Sequence, residues 1–132
     1  MGIVKAEIQI RNPQRPDLAP MNVEAVADTG ALLLCIPSHL ALQLQLATVE
    51  QREVRIADGS LRLCPYVGPV HLRFANRGCF TGALVLGEQV LLGAVPMEDM
   101  DLVVISAEQK VVVNPASPNF ATAQVMVHHP MH

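Results

Sequence analysis

The sequence predicts an all-β domain built of short strands. Three observations predict it. Of the 132 residues 51% are hydrophobic, mainly Val, Leu and Ile in short runs; ten Pro and eight Gly punctuate those runs; and only 3% are aromatic, with no Trp, so the core must be aliphatic. Short aliphatic runs broken by turn residues read as strands rather than as a helical bundle. The length is that of one domain.

Taken in order, residues 3–10 (IVKAEIQI) alternate apolar and polar and predict a strand, while residues 11–20, with Pro13, Pro16 and Pro20, predict a loop. Residues 22–28 (NVEAVAD) predict a second strand running into Thr29-Gly30, and residues 31–36 (ALLLCI) a strand buried on both faces. SHLALQLQL, from Ser38, carries two signals. Leu40, Leu42, Leu44 and Leu46 alternate as in a strand, whereas Pro37 and the Leu, Ala and Gln content favour a helix. A short helix is the reading adopted.

Residues 52–56 and 61–66 flank Ala57-Asp58-Gly59-Ser60, and Asp-Gly between alternating runs is a strong hairpin signal. Residues 68–75 and 80–86 predict a strand pair turning at Asn76-Arg77-Gly78. Val90-Leu91-Leu92-Gly93 is a short apolar strand, Pro96 to Met100 a helical turn, and residues 102–105 and 110–113 the last two strands, joined around Glu108-Gln109. The domain is expected to span residues 1–113. Residues 114–132, with Pro115, Pro118 and Pro130, are expected to form a flexible tail. His128, His129 and His132 read as solvated tail residues rather than a metal site.

Several function classes are disfavoured. Nine basic against twelve acidic residues give a net charge of −3, with no basic stripe and few aromatics for base stacking, so no nucleic-acid partner is expected. No apolar stretch approaches the roughly 20 residues a membrane span needs, and the first eleven residues lack the apolar region of a signal peptide. Cys35, Cys64 and Cys79 are odd in number and show no C-x-x-C spacing, which points to buried free thiols in a reducing, cytoplasmic setting. No metal and no cofactor are expected. His39 and His71 read as surface or partly buried histidines, Cys35 as a core thiol, and Asp99 and Asp101 as residues of a helix end or turn.

The most informative stretch is Ala27-Asp28-Thr29-Gly30-Ala31. An acid, a small hydroxyl and a Gly lie between two apolar runs, so the carboxylate is expected not at solvent but in the core, where it is costly unless hydrogen-bonded or paired. Gly30 permits close backbone approach and Thr29 can hold a turn. The lesser alternative is that Asp28 is a turn-forming acid at a strand end. A faint internal echo accompanies it: Asp28-Thr29-Gly30 and Leu91-Leu92-Gly93 each end a strand and precede a helix-like segment.

Asp28-Thr29-Gly30-Ala31 after an apolar strand resembles the active-site motif of the retropepsin-like aspartic peptidases, the retroviral proteases and their single-domain relatives. Leu91-Leu92-Gly93, about sixty residues on, resembles that family's later hydrophobic-hydrophobic-Gly mark, and the hairpin with Ala57, Asp58, Gly59 and Ser60 at its tip resembles its flap. The order holds from about residue 3 to 113. A bare Asp-Thr-Gly arises by chance in on the order of a few per cent of chains this long, so the weight rests on the combination.

The resemblance implies a closed β-barrel-like retropepsin (acid protease) fold with a flap hairpin and one or two short helices. It also implies an aspartic endopeptidase with Asp28 as catalytic residue, supported by Thr29, Gly30 and Ala31, and a polypeptide substrate bound in extended form. Such chemistry needs two carboxylates sharing one proton, and this chain has one Asp-Thr-Gly, so the resemblance implies a homodimer. In that dimer Thr29 would clasp the facing loop and Gly30 would donate its amide to the carboxylate. Ala94-Val95-Pro96 after Gly93 and a flap tip with a single Gly depart from the viral pattern. Two other readings are carried: an inactive retropepsin-fold module for dimerisation or peptide binding, and a small β-barrel in which Asp28 only shapes a turn.

Overall fold

The computed structural model describes residues 3–126. The elements are β1 (Lys5–Arg11), β2 (Met21–Ala27), β3 (Leu34–Ile36), α1 (Ser38–Gln43), β4 (Ala47–Arg55), β5 (Leu61–Phe74), β6 (Arg77–Val85), β7 (Val90–Leu92), α2 (Ala94–Asp99), β8 (Leu102–Ile105) and β9 (Lys110–Val113), with a 3-10 turn at Ser106–Glu108. The sheet runs β4-β5-β6-β3-β7-β2-β1-β9-β8, and a further β5–β1 pairing closes six of its strands into a barrel. The expected mostly-β barrel with two short helices is thus observed. No helix among the described residues is long and apolar enough to cross a membrane.

The barrel exists because each strand turns one aliphatic row inward. Ile8 and Ile10 of β1, Ala25 of β2, Leu34 and Ile36 of β3, Val70 and Leu72 of β5 and Leu92 of β7 are each no more than 2% exposed. The two helices close the barrel with Leu40, Leu44, Met97 and Met100. The conflict over Ser38 onward resolves as helix. Leu40 and Leu44, four apart, are buried, while Leu42, which a strand would place beside them, is 77% exposed. The buried Asn12 closes the end of α1, its amide donating to the carbonyls of Leu44 (2.9 Å) and Gln45 (3.2 Å). Those carbonyls have no partner within so short a helix.

Three expectations need correction. Residues 31–33 are not strand: Leu32 is 65% exposed, and only Leu34–Ile36 pair. The segment leaves the ladder because the carbonyls of Ala31 and Leu32 accept the amides of Ala94 and Val95, both at 2.9 Å. The second hairpin turns at Ala75-Asn76, between the paired Phe74 and Arg77, with Ala75 at φ 50°. Gly78 lies instead in β6, where a Cβ would meet the His71 ring at 3.1 Å. The two runs 61–66 and 68–75 form one continuous strand, β5, with a register shift between Val67 and Val70.

The chain beyond β9 folds back on the barrel. Asn76 donates its amide to the carbonyls of Pro118 and Asn119, Arg77 donates to the Ser117 carbonyl, and Asp101 accepts from Asn114, Ser117 and the Thr122 amide. His128, His129 and His132 lie outside the described residues.

Candidate functional site

Asp28 stands where β2 leaves the barrel. Its amide donates to the Leu92 carbonyl at 3.0 Å, extending the parallel β2–β7 ladder by one step, and its carbonyl accepts the Ala31 amide at 3.1 Å. The backbone therefore fixes the position of the carboxyl before any side chain acts. Oδ1 then accepts the Gly30 amide at 2.9 Å. Gly30 is suited to this because a Cβ there would stand 3.2 Å from that same oxygen. Oδ2 has no protein hydrogen bond among the described residues. Asp28 is half-buried rather than enclosed in the core as expected, because the chain leaves the barrel there; Thr29 is exposed, and Ala31 is half-buried.

The two motifs that lie far apart in sequence meet here. β7 runs between β2 and β3, parallel to the first and antiparallel to the second, so Leu91 and Leu92 sit under the Asp28 loop. Gly93 follows, and a Cβ on it would fall 2.4 Å from the Leu33 carbonyl oxygen and 2.7 Å from the Leu32 carbonyl carbon. The conformation of Gly93 is open to any residue; what requires glycine is the absence of space. The faint echo in the sequence corresponds to β2 with its loop and β7 with α2, side by side in one sheet.

Around the loop the surface is apolar. Leu32 is 65% exposed and Val95, bonded to it through the backbone, 42%. Ile3, 65% exposed, precedes Val4, whose carbonyl accepts the Ala27 amide.

The hairpin predicted from Asp58-Gly59 joins β4 and β5. Its turn is held from within: Asp58 Oδ1 accepts the Ser60 amide (2.8 Å) and hydroxyl (2.6 Å), and Arg55 donates to the Gly59 carbonyl (2.9 Å). The two Ser60 bonds hold the Asp58 carboxyl below its ordinary range, the hydroxyl bond contributing most. Gly59, at φ +86°, has the left-handed backbone the turn needs. Among the described residues no hydrogen bond joins Ala57, Asp58, Gly59 or Ser60 to the Asp28 loop.

The three thiols are buried and unbridged. Burial pushes Cys79 up to about 12, with Asp99 adding to the effect, and burial likewise raises Cys35, with smaller contributions from Cys64 and Asp28. These are buried thiols rather than nucleophiles, Cys79 in the barrel core and Cys35 on the opposite side of the sheet. Burial lowers the pKa of His71, with Arg11 and Arg73 assisting, and its ring lies 4.8 Å from Phe80. Among the described residues no cluster of His, Cys, Asp or Glu is arranged to hold a metal ion.

Sequence reasoning missed the polar cluster around Asp101. Three hydrogen bonds, that from Ser117 foremost, hold its carboxyl down at about 2. Arg77, 2% exposed, stands 4.0 Å from it. No local pattern announces the cluster, because its members come from β6, the α2–β8 turn and the chain after β9.

No family model matches this chain, and no curated protein matches it either. Among solved structures it is similar to the solution structure of the Simian Foamy Virus (mac) protease. The two chains are 14% identical, the match covers 73% of this chain and 91% of that one, and the TM-score is 0.47.

Proposed function

We propose that this chain is one subunit of a homodimeric aspartic endopeptidase, with Asp28 of each copy supplying half of the catalytic pair. The observation that carries the reading is the setting of Asp28. Its backbone is fixed by Leu92, one carboxyl oxygen is held by Gly30, the other has no partner among the described residues, and exposed aliphatic side chains surround the loop. A rim of Ile3, Leu32 and Val95 around a polar centre is the kind of surface that a two-fold partner covers.

In such a pair the two Asp28 carboxyls share one proton, since like charges about 3 Å apart do not both ionise. The ionised carboxylate takes a proton from a water molecule, whose oxygen bonds to the scissile carbonyl carbon. The neutral carboxyl passes its proton to the carbonyl oxygen. Collapse of the tetrahedral adduct breaks the C–N bond as the leaving nitrogen receives a proton from the dyad and an adduct hydroxyl returns one to it, leaving a carboxylic acid and restoring the shared proton. Thr29 clasps the facing loop, and the β4–β5 hairpin serves as the flap, adding strand-like backbone bonds to an extended peptide. The pair titrates as a unit, so a rate profile reports two apparent values that belong to neither residue alone.

The test is cleavage of an unfolded protein by wild type and by Asp28→Asn between about pH 3.5 and 7, the range over which a carboxylate dyad changes state. Wild type is expected to cut with a specific activity that rises with enzyme concentration, and Asp28→Asn to lose at least about a hundredfold. A folded, dimeric wild type that cuts nothing at any pH would leave the inactive binding module. A folded monomer at high concentration would leave the plain barrel.

A further inference from the structure

The β4–β5 hairpin has two faces, and the register says which residues share each. Arg52 pairs with Cys64 and Val54 with Arg62, while Glu53 pairs with Leu63 and Arg55 with Leu61. Cross-strand partners lie on the same side of a sheet, and residues two apart along a strand do too. Arg52, Val54, Arg62 and Cys64 therefore form one face, and Glu53, Arg55, Leu61 and Leu63 the other.

The first face is continuous with the side of the sheet that carries Asp28. Val26 pairs with Leu91, Leu91 with Cys35, Cys35 with Leu84, and Leu84 with Tyr66. This row of partners crosses from β2 to β5 on the surface opposite the barrel core. Asp28 lies two residues past Val26, with the ladder extended to it by its bond to Leu92, and Arg62 lies four residues before Tyr66 with no register shift between them. The perturbation of Cys35 by both Cys64 and Asp28 agrees with that continuity.

Three arginines belong to the hairpin, and two have their partners. Arg52 is paired with Glu50 at 2.8 Å and lies over the Tyr66 ring at 3.8 Å; Arg55 bonds the Gly59 carbonyl. Arg62 is exposed and has no hydrogen bond or ion pair among the described residues. Beside it opens a pocket of about 290 Å³ that reaches both faces of the hairpin, taking in Cys64 and Leu63 together with Ser38, Leu86 and Gly87, and Arg62 is its charged lining residue.

Resting on the peptidase reading above, we propose that Arg62 is a specificity-determining residue, which draws an Asp or Glu side chain of the extended peptide toward the hairpin and disfavours Lys or Arg at the same position. An aliphatic site then selects not merely apolar peptides but apolar peptides bearing one acidic residue where the hairpin covers them. The guanidinium matches a carboxylate in two parallel hydrogen bonds, which a lysine would not reproduce.

The experiment uses extended apolar peptides in which Glu or Lys is placed in turn at each position around one cleavable bond, at about pH 6, where a Glu side chain is ionised. At one position wild type is expected to prefer Glu over Lys by about fivefold in kcat/KM, the scale an exposed ion pair supplies. Arg62→Ala should abolish the preference and Arg62→Glu reverse it. Raised salt should shrink it. The same peptides are titrated by fluorescence anisotropy against Asp28→Asn, with and without Arg62→Glu, so that the preference is read as binding when no bond is cut. Loss of all cleavage with the binding preference intact would sink the peptidase reading and keep Arg62 as a selector. Equal treatment of Glu and Lys peptides in both measurements, or a preference that Arg62→Glu leaves unchanged, overturns the proposal.

Discussion

Asp28 and Asp101 are two carboxylates of one small domain in opposite states of commitment. Asp101 is saturated: Asn114 and Ser117 donate side chains to it, Thr122 its amide, and Arg77 stands close by. Among the described residues Asp28 is held by a single side-chain hydrogen bond, from an amide two residues away, and its other carboxyl oxygen accepts none. The first arrangement fixes a fold; the second leaves a group able to act on something else. Asp58 sharpens the contrast. It also accepts the amide two residues on, so that bond alone marks nothing beyond a turn. What separates Asp28 from Asp58 is its place between β7 and an apolar rim.

The contrast breaks if the two acids prove interchangeable under substitution. On the proposed reading Asp28→Asn removes cleavage and leaves the melting temperature close to wild type, whereas Asp101→Asn lowers the melting temperature and leaves cleavage per folded molecule intact. Circular dichroism melts run beside the cleavage assay separate the two. A next effect falls on the support of the Asp28 loop. Gly93→Ala places a methyl against the Leu32 and Leu33 carbonyls, and backbone cannot yield as a side-chain tip would. A loss of about 1–3 kcal/mol in urea unfolding is expected, as for other overpacked sites.

Acid distinguishes the carboxylates further. The folded pKa of Asp101 is depressed to about 2 from an ordinary 3.8, so its contribution is fully present above the ordinary value and disappears as pH falls through the folded one. The stability gap between wild type and Asp101→Asn should accordingly be constant down to about pH 4 and close toward pH 2. A gap that stays open at pH 2 would mean that the hydrogen bonds, rather than the charge, carry the effect. The smallest expected change concerns the thiols. In the folded protein Cys35 and Cys79 should react with a thiol reagent at neutral pH far more slowly than in denaturant, in keeping with their raised pKa.

What could be read from the sequence follows the reach of each interaction. The alternation of residues 3–10, the Asp58-Gly59 turn and the Asp28-Thr29-Gly30 loop are written in neighbouring residues, and the structure has a strand, a hairpin and a strand-end loop there. Residues 31–33 misled because their hydrophobicity serves an exposed rim rather than a buried strand. The Ala75-Asn76 turn was hidden because a left-handed alanine is disfavoured locally, while the adjacent Asn-Arg-Gly looked the better turn. The partners of Asn12, Arg77 and Asp101 could not be read at all, although Asp101 does stand in the turn expected of it. Asn12 meets residues more than thirty positions away, and the other two find their partners thirteen to forty away. The facing of Arg62 became visible only once strand register was known.

The fourteen residues of β5 belong to two structures at once. From Leu61 to Gly68 they pair with β4, and from Val70 to Phe74 they form barrel wall between β6 and β1. Where the two duties meet, the register slips beside Gly68 and Pro69. The hairpin is thus no separate arm on a flexible joint but the free end of a barrel stave. Displacing its tip bends a beam whose other end is clamped in the core.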